Sequence, residues 1–133
     1  MSKKMQVLWG LVVFFVLIIA DQFAKNISDD IFRNNNFAFS LQMPLYIMYG
    51  IYFLGIAAIA VYLFKHHQNL STADFLAWLF ILAGAVSNVG ERVILGYVRD
   101  WIYISNGVFN LADIYILLGI FLLIIPAKVS TKY

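Results

Sequence analysis

The chain has 133 residues, no cysteine and a net charge of +2; 63% of it is hydrophobic and only 12% is charged. That is too little charged surface to keep a domain of this size dissolved, so the apolar mass calls for a bilayer. The absence of cysteine excludes disulfides, thiol nucleophiles and cysteine metal sites, and the small, scattered positive charge excludes nucleic acid as a partner.

Four segments approach the ~20 apolar residues that a membrane span needs. The first runs from about Met5 to Ala24, behind Lys3 and Lys4. No small-x-small cleavage site closes this run, because Asp21-Gln22-Phe23 follows, so the expectation is a retained first helix rather than a signal peptide. Asp21 and Lys25 stand four apart at its end and read as an exposed helix ion pair, or as a lysine reaching to headgroups. Between Lys25 and Met43 lies a segment rich in Asn and Phe. From Phe37 its large apolar residues alternate with small or polar ones, which suits a short strand on the membrane surface.

The second span, Pro44–Phe64, carries no charge. His66 and His67 follow it and read as part of a solvated loop. The third span, Phe75–Gly90, is bounded by Asp74 and Glu91. On it Gly84, Asn88 and Arg92 share one face, with Gly84-Ala85 permitting close helix contact and Asn88 and Arg92 aimed at one polar pocket. Beyond it, Arg99-Asp100 lies between apolar stretches with Tyr97, Trp101 and Tyr103, residues that favour the interface. The fourth span, about Phe109–Pro126, has Asp113 near its start and Asn110 on the same face.

With four spans both termini share one side, and that side holds Lys3, Lys4, Lys65, Lys128 and Lys132 against Lys25, Arg33, Arg92 and Arg99 opposite. The expected orientation puts both termini in the cytoplasm. Every acidic residue except Asp74 then falls at the outer face. Ionisable groups at membrane depth are functional candidates by default. Asp113 reads either as such a group or as a first-turn carboxylate favoured by the helix dipole. Asp100 reads either as its partner or as a surface residue beside Arg99. The two are 13 positions apart (113 − 100), with the turn signal Ser105-Asn106-Gly107 between them. A chain that turns there and re-enters the bilayer brings the carboxyls together. Two adjacent carboxyls share one proton: the ionised one activates water and the protonated one donates to a carbonyl oxygen, which is peptide hydrolysis without metal or cofactor.

These residues resemble the lipoprotein signal peptidase (signal peptidase II) family along nearly the whole chain. Asp21-Gln22-Phe23-Ala24-Lys25 is similar to D-x-x-x-K, and Arg33-Asn34-Asn35-Asn36-Phe37-Ala38-Phe39-Ser40 to R-N-x-G-A-A-F-S. Ala83 to Arg92 resembles G-G-A-x-G-N-x-x-D-R, Gly96 to Trp101 resembles G-x-V-x-D-F, and Phe109 to Asp113 matches F-N-x-A-D. The resemblance implies an aspartic endopeptidase that cuts before a diacylglyceryl-modified cysteine in bacterial prolipoproteins. It implies Asp100 and Asp113 as the catalytic pair, with Asn34, Asn88, Arg92 and Asn110 lining or supporting the site and Asp21 and Lys25 supporting it. Glu91, Asn36, Phe37, Ser87 and Trp101 depart from the pattern. Glu91 stands where the family has Asp and is expected to hold a basic partner, its longer arm tolerated.

The expected architecture is a single integral membrane domain, 1–133. It is all-α with four transmembrane helices, and carries a small β-like element at the outer face of a bacterial inner membrane. Membrane lipids and a lipid-modified prolipoprotein are the expected partners, with no cofactor or metal. The rival reading is a non-catalytic membrane protein, a transport component or inactive relative, in which the aspartates carry protons or cap helices.

Overall fold

The computed structural model describes residues 2–36 and 42–125. Four helices and four short strands follow in the order α1 (Lys3–Ile27), β1 (Phe32–Asn34), α2 (Leu45–His66), α3 (Thr72–Leu95), β2 (Val98–Asp100), β3 (Ile102–Ile104), β4 (Gly107–Phe109) and α4 (Leu111–Ile124). The first three helices are long and apolar enough to cross a membrane. Their outward faces carry Leu, Ile, Phe and Val side chains that a water-soluble fold would bury.

Three of the helices, α1, α3 and α4, begin where the sequence supplies a side-chain cap, whereas α2 follows Pro44 without one. Ser2 accepts from the Met5 N–H, and Ser71 accepts from the Asp74 N–H while donating to its carboxylate. Gly96 ends α3 in the left-handed region, at φ 81°, a turn that glycine makes without side-chain strain. Asn110 caps α4 through a full capping box with Asp113.

Helix α3 is the centre of the molecule, packing against α4, α1 and α2. Its contact with α4 is close because Gly84 has no side chain. A Cβ there would meet the Ala112 carbonyl oxygen and stand 2.8 Å from Ile116 Cγ1. Gly119 repeats the arrangement from the α4 side, where a Cβ would stand 2.5 Å from the Ala77 carbonyl oxygen. Gly84→Ala is therefore expected to push α4 off α3 and destabilise the fold by about 1–3 kcal/mol, the usual range for overpacking. Thermal unfolding in detergent tests this, with Gly90→Ala as the comparison, since nothing lies within 4 Å of a Cβ there.

The strands form two antiparallel pairs. β1 pairs with β2, setting Phe32 opposite Asp100 and Asn34 opposite Val98. β3 pairs with β4, Ile102 opposite Phe109, and the Trp101 N–H donates to the Phe109 carbonyl at 2.9 Å. Ser105 and Asn106 make the hairpin turn, with Ser105 at φ 51°.

Three expectations change. The fourth span was drawn from Phe109, but Phe109 belongs to a strand and α4 starts at Leu111. The 14-residue helix is about 21 Å long at 1.5 Å per residue, shorter than the other three. The surface strand anticipated from Phe37 onward lies mostly outside the described residues; the strand of that segment is Phe32–Asn34. The Asp21–Lys25 pair is not exposed: both side chains are fully covered, because α3 and α4 pack over this end of α1.

Candidate active site

The polar residues gather where α1 and α3 end and α4 begins. Lys25 uses all three of its ammonium donors on buried acceptors. They reach Asp21 Oδ2 at 2.7 Å, Glu91 Oε2 at 2.9 Å and Asn88 Oδ1 at 3.1 Å. Asp21 is held in turn by the Ser87 hydroxyl at 2.6 Å and by the backbone N–H of Ala112 at 3.1 Å, which ties the end of α1 to the start of α4. Glu91 does hold basic partners, but they are Lys25 and Arg99 rather than the adjacent Arg92.

Three asparagines carry this network to the two aspartates. Asn88 donates to Asp113 Oδ1 at 2.9 Å while its own oxygen accepts from Lys25 and from Asn110. Asn110 donates from Nδ2 to Asp100 Oδ1 at 2.6 Å and from its backbone N–H to Asp113 Oδ2 at 3.1 Å. Asn34, from β1, donates to Asp100 Oδ2 at 2.9 Å. Every carboxyl oxygen of Asp100 and Asp113 thus faces an amide donor, and Asn110 touches both residues. The β3–β4 hairpin makes this possible by returning the chain from Asp100 to Asn110. Asp113 also closes the α4 capping box, so its first-turn reading is fulfilled as well. Capping uses Oδ2 and leaves Oδ1 to Asn88.

Both aspartates line a cavity of about 540 Å³. Asn34, Asn88, Arg92 and Tyr52 form its polar part, and Ile116, Leu117 and Ile120 extend it along α4. Arg92 does share this cavity with Asn88. It holds the wall together: its Nη2 donates to the Asn36 carbonyl at 2.8 Å, its guanidinium lies 5.3 Å from the centre of the Tyr52 ring, and its carbonyl accepts from the Tyr49 hydroxyl at 2.9 Å. His66 and His67 stand at the opposite end of the bundle.

Asp100 is almost fully covered. Burial raises its carboxyl above the ordinary carboxylate value, and the charge of Asp113 adds to this. The hydrogen bonds from Asn34 and Asn110 and the charge of Lys25 oppose it. The arrangement suits a pair that keeps one proton where an isolated aspartate would be ionised.

Sequence reasoning singled out neither Arg99 nor Gln22, although both join the network. Arg99 binds Glu91, Asn26 and Gln22, and Gln22 donates to Ser87 at 3.0 Å. The helical spacing of Gln22 and Asn26 was a signal, but nothing in the sequence says that a strand crosses that face.

The model of a family described as Signal peptidase (SPase) II matches residues 13–128. A lipoprotein signal peptidase of Streptococcus pyogenes serotype M5 (strain Manfredo) is 31% identical over 96 residues, which cover 70% of this chain and 63% of that protein. One from serotype M3 (strain ATCC BAA-595 / MGAS315) is 30% identical over the same share of each. The match thus spans less than two thirds of the length of these relatives. Among solved structures, a bacterial membrane enzyme determined by the in meso method at 2.3 Å superposes with a TM-score of 0.75 at 25% identity, covering 87% of this chain and 85% of that one. A second, determined by the same method at 1.9 Å, shares the fold with a TM-score of 0.74 at 24% identity.

Proposed function

We propose, from the premise that the chain belongs to the signal peptidase II family, that it is an aspartic endopeptidase removing signal peptides from diacylglyceryl-modified prolipoproteins. The observation that carries the reading is that Asn110 binds both Asp100 and Asp113, on the wall of one cavity. One carboxyl is ionised and takes a proton from the attacking water. The other is protonated and donates to the scissile carbonyl oxygen; as the tetrahedral intermediate collapses, the proton taken from water passes to the leaving amine and the hydroxyl returns its proton to the second carboxylate. Asn34, Asn88 and Asn110 orient the carboxyls, Arg92 supports the wall, and Asp21 and Lys25 hold the helix ends together. No cofactor takes part. The reading is tested by incubating the purified protein with a lipid-modified prolipoprotein; release of the signal peptide supports it, and an intact precursor counts against it.

A capping role accounts for Asp113 alone. It leaves unexplained why a covered Asp100 is held by two amides at the same cavity, so the non-catalytic alternative is the weaker reading.

The chain is a single integral membrane domain with four spans, α4 being the shortest, in the bacterial inner membrane and in contact with its lipids. Both termini are cytoplasmic. The side proposed as external has four basic residues, but Lys25 and Arg92 are buried and Arg99 is paired with Glu91. Among the described residues this leaves Arg33 as the basic side chain on that side that is neither buried nor paired with Glu91, against Lys3, Lys4 and Lys65 at the proposed cytoplasmic ends. Reporters fused after Lys65 and after Tyr133 are expected to read cytoplasmic, and one inserted at Asn106 external. A cytoplasmic signal at Asn106 refutes the placement.

The raised carboxyl of Asp100 gives a pH dependence with a definite sign. Its protonated form is favoured by folding, so that contribution to stability is complete below the ordinary aspartate value and lost as pH rises through the raised one. Cleavage is expected to fall along the same limb, because the shared proton leaves. A pH–rate profile with its alkaline limb above the usual carboxylate range bears this out.

A further inference from the structure

We infer that Arg99 is a positioning residue for Asp100, fixing the strand that carries it against α1 and α3; this rests on the proposed role of Asp100 and Asp113. Strand β2 is three residues long and, among the described residues, pairs with β1 alone, through one short antiparallel ladder. So short a pair has little stability of its own. Alternation along the strand turns Asp100 to the cavity and Arg99 to the other face, and Arg99 is not among the residues that line the cavity.

On that other face Arg99 is held by four hydrogen bonds. Its backbone N–H and its Nε both donate to Glu91, at 3.1 Å and 2.6 Å. Nη1 donates to Asn26 at 2.6 Å, and Nη2 to Gln22 at 3.0 Å. Gln22 and Asn26 lie one turn apart on α1, and Glu91 lies on α3. All three guanidinium nitrogens are therefore engaged, which fixes the plane of the group as no ammonium would. The arrangement has a cost: Arg33 stands directly opposite Arg99 in the ladder, and like charges so placed repel. Glu91 neutralises one of them, and Arg33 turns away over the Tyr97 ring.

Glu91 extends the consequence to the other carboxyl. The same carboxylate accepts from Lys25, Lys25 donates to Asn88, and Asn88 donates to Asp113. Arg99 thereby ties the strand of Asp100 to the group that orients Asp113, and sets the placement of one carboxyl against the other without touching substrate.

The test uses the full chain in detergent with a lipid-modified prolipoprotein, comparing Arg99→Gln, Arg99→Lys and Asn26→Ala with Asp100→Asn. Arg99→Gln is expected to lower kcat about a hundredfold, the effect of a misplacement near 1 Å, with KM changed less than about threefold. Arg99→Lys keeps the charge facing Glu91 and should recover about tenfold of that loss; Asn26→Ala, which removes one bond, should cost only about threefold. Should Arg99→Gln fail to fold, the split between kcat and KM in Arg99→Lys and Asn26→Ala decides the matter. Wild-type kcat in the Arg99 variants beside an inactive Asp100→Asn overturns this inference and leaves the proposed function standing. So does a loss of kcat that merely follows the thermal midpoint across the three variants. Cleavage by Asp100→Asn overturns the proposed function itself, and this inference with it.

Discussion

Replacing Asp100 by Asn, or Asp113 by Asn, is expected to reduce cleavage by roughly a hundredfold to ten-thousandfold, the scale on which positioned acid–base groups act. The protein should stay folded. At position 113 an Asn still presents an oxygen to the Asn110 backbone N–H, so the capping box of α4 survives in part. At position 100 an Asn still presents an oxygen to Asn110 or Asn34. What is lost is the capacity to move a proton. If the two carboxyls act as one unit, the double substitution should be scarcely slower than either single one. Independent, additive losses would show that the residues serve separate steps. Retained cleavage in either single variant would remove that residue from the mechanism.

The second large effect is expected on stability. Lys25→Met should destabilise the fold by about 3–5 kcal/mol, the range for removing one partner of a buried ion pair. The methionine fills nearly the same length, so packing is not the cause. The cause is Asp21, left in a covered site without its cation, and Glu91, left with Arg99 alone. Asn88 loses a donor as well. Combining Lys25→Met with Asp21→Asn removes the stranded charge and should restore part of the loss. Thermal unfolding in detergent measures both. An unchanged midpoint for Lys25→Met would mean that water reaches this cluster and screens it.

The long elements were legible because a bilayer imposes a simple rule: apolar length. Three of the four expected spans fall on helices long and apolar enough to cross a membrane; the first two begin and end close to where hydropathy put them, and the third runs Thr72–Leu95 against an expected Phe75–Gly90. The shared face of Gly84 and Asn88 was legible too, since helical spacing alone places side chains. The three-residue strands were not. Over Val98–Asp100 a period of two has no room to declare itself, and the hairpin showed only through Ser105-Asn106-Gly107. Asp21 and Lys25 illustrate a different limit. Their spacing puts them on one helix face, but whether water or protein covers that face depends on α3 and α4, far away in sequence. Glu91 was expected to hold a basic partner, but which one was not legible for the same reason: Lys25 and Arg99 arrive through the fold.

That Lys25 and Asp21 lie one turn apart on the same helix also bears on how the chain enters the membrane. A lone lysine near the end of a first span is costly to carry into the bilayer, and its other partners, Glu91 and Asn88, are synthesised 63 or more residues later. Asp21 is there from the outset, so the helix brings its own counter-ion and inserts as a neutral pair. The Ala112 N–H that completes Asp21 comes last, with α4. On the proposed reading, cleavage waits on α4: until it threads in, Asp113 and Asn110 are missing from the cavity wall.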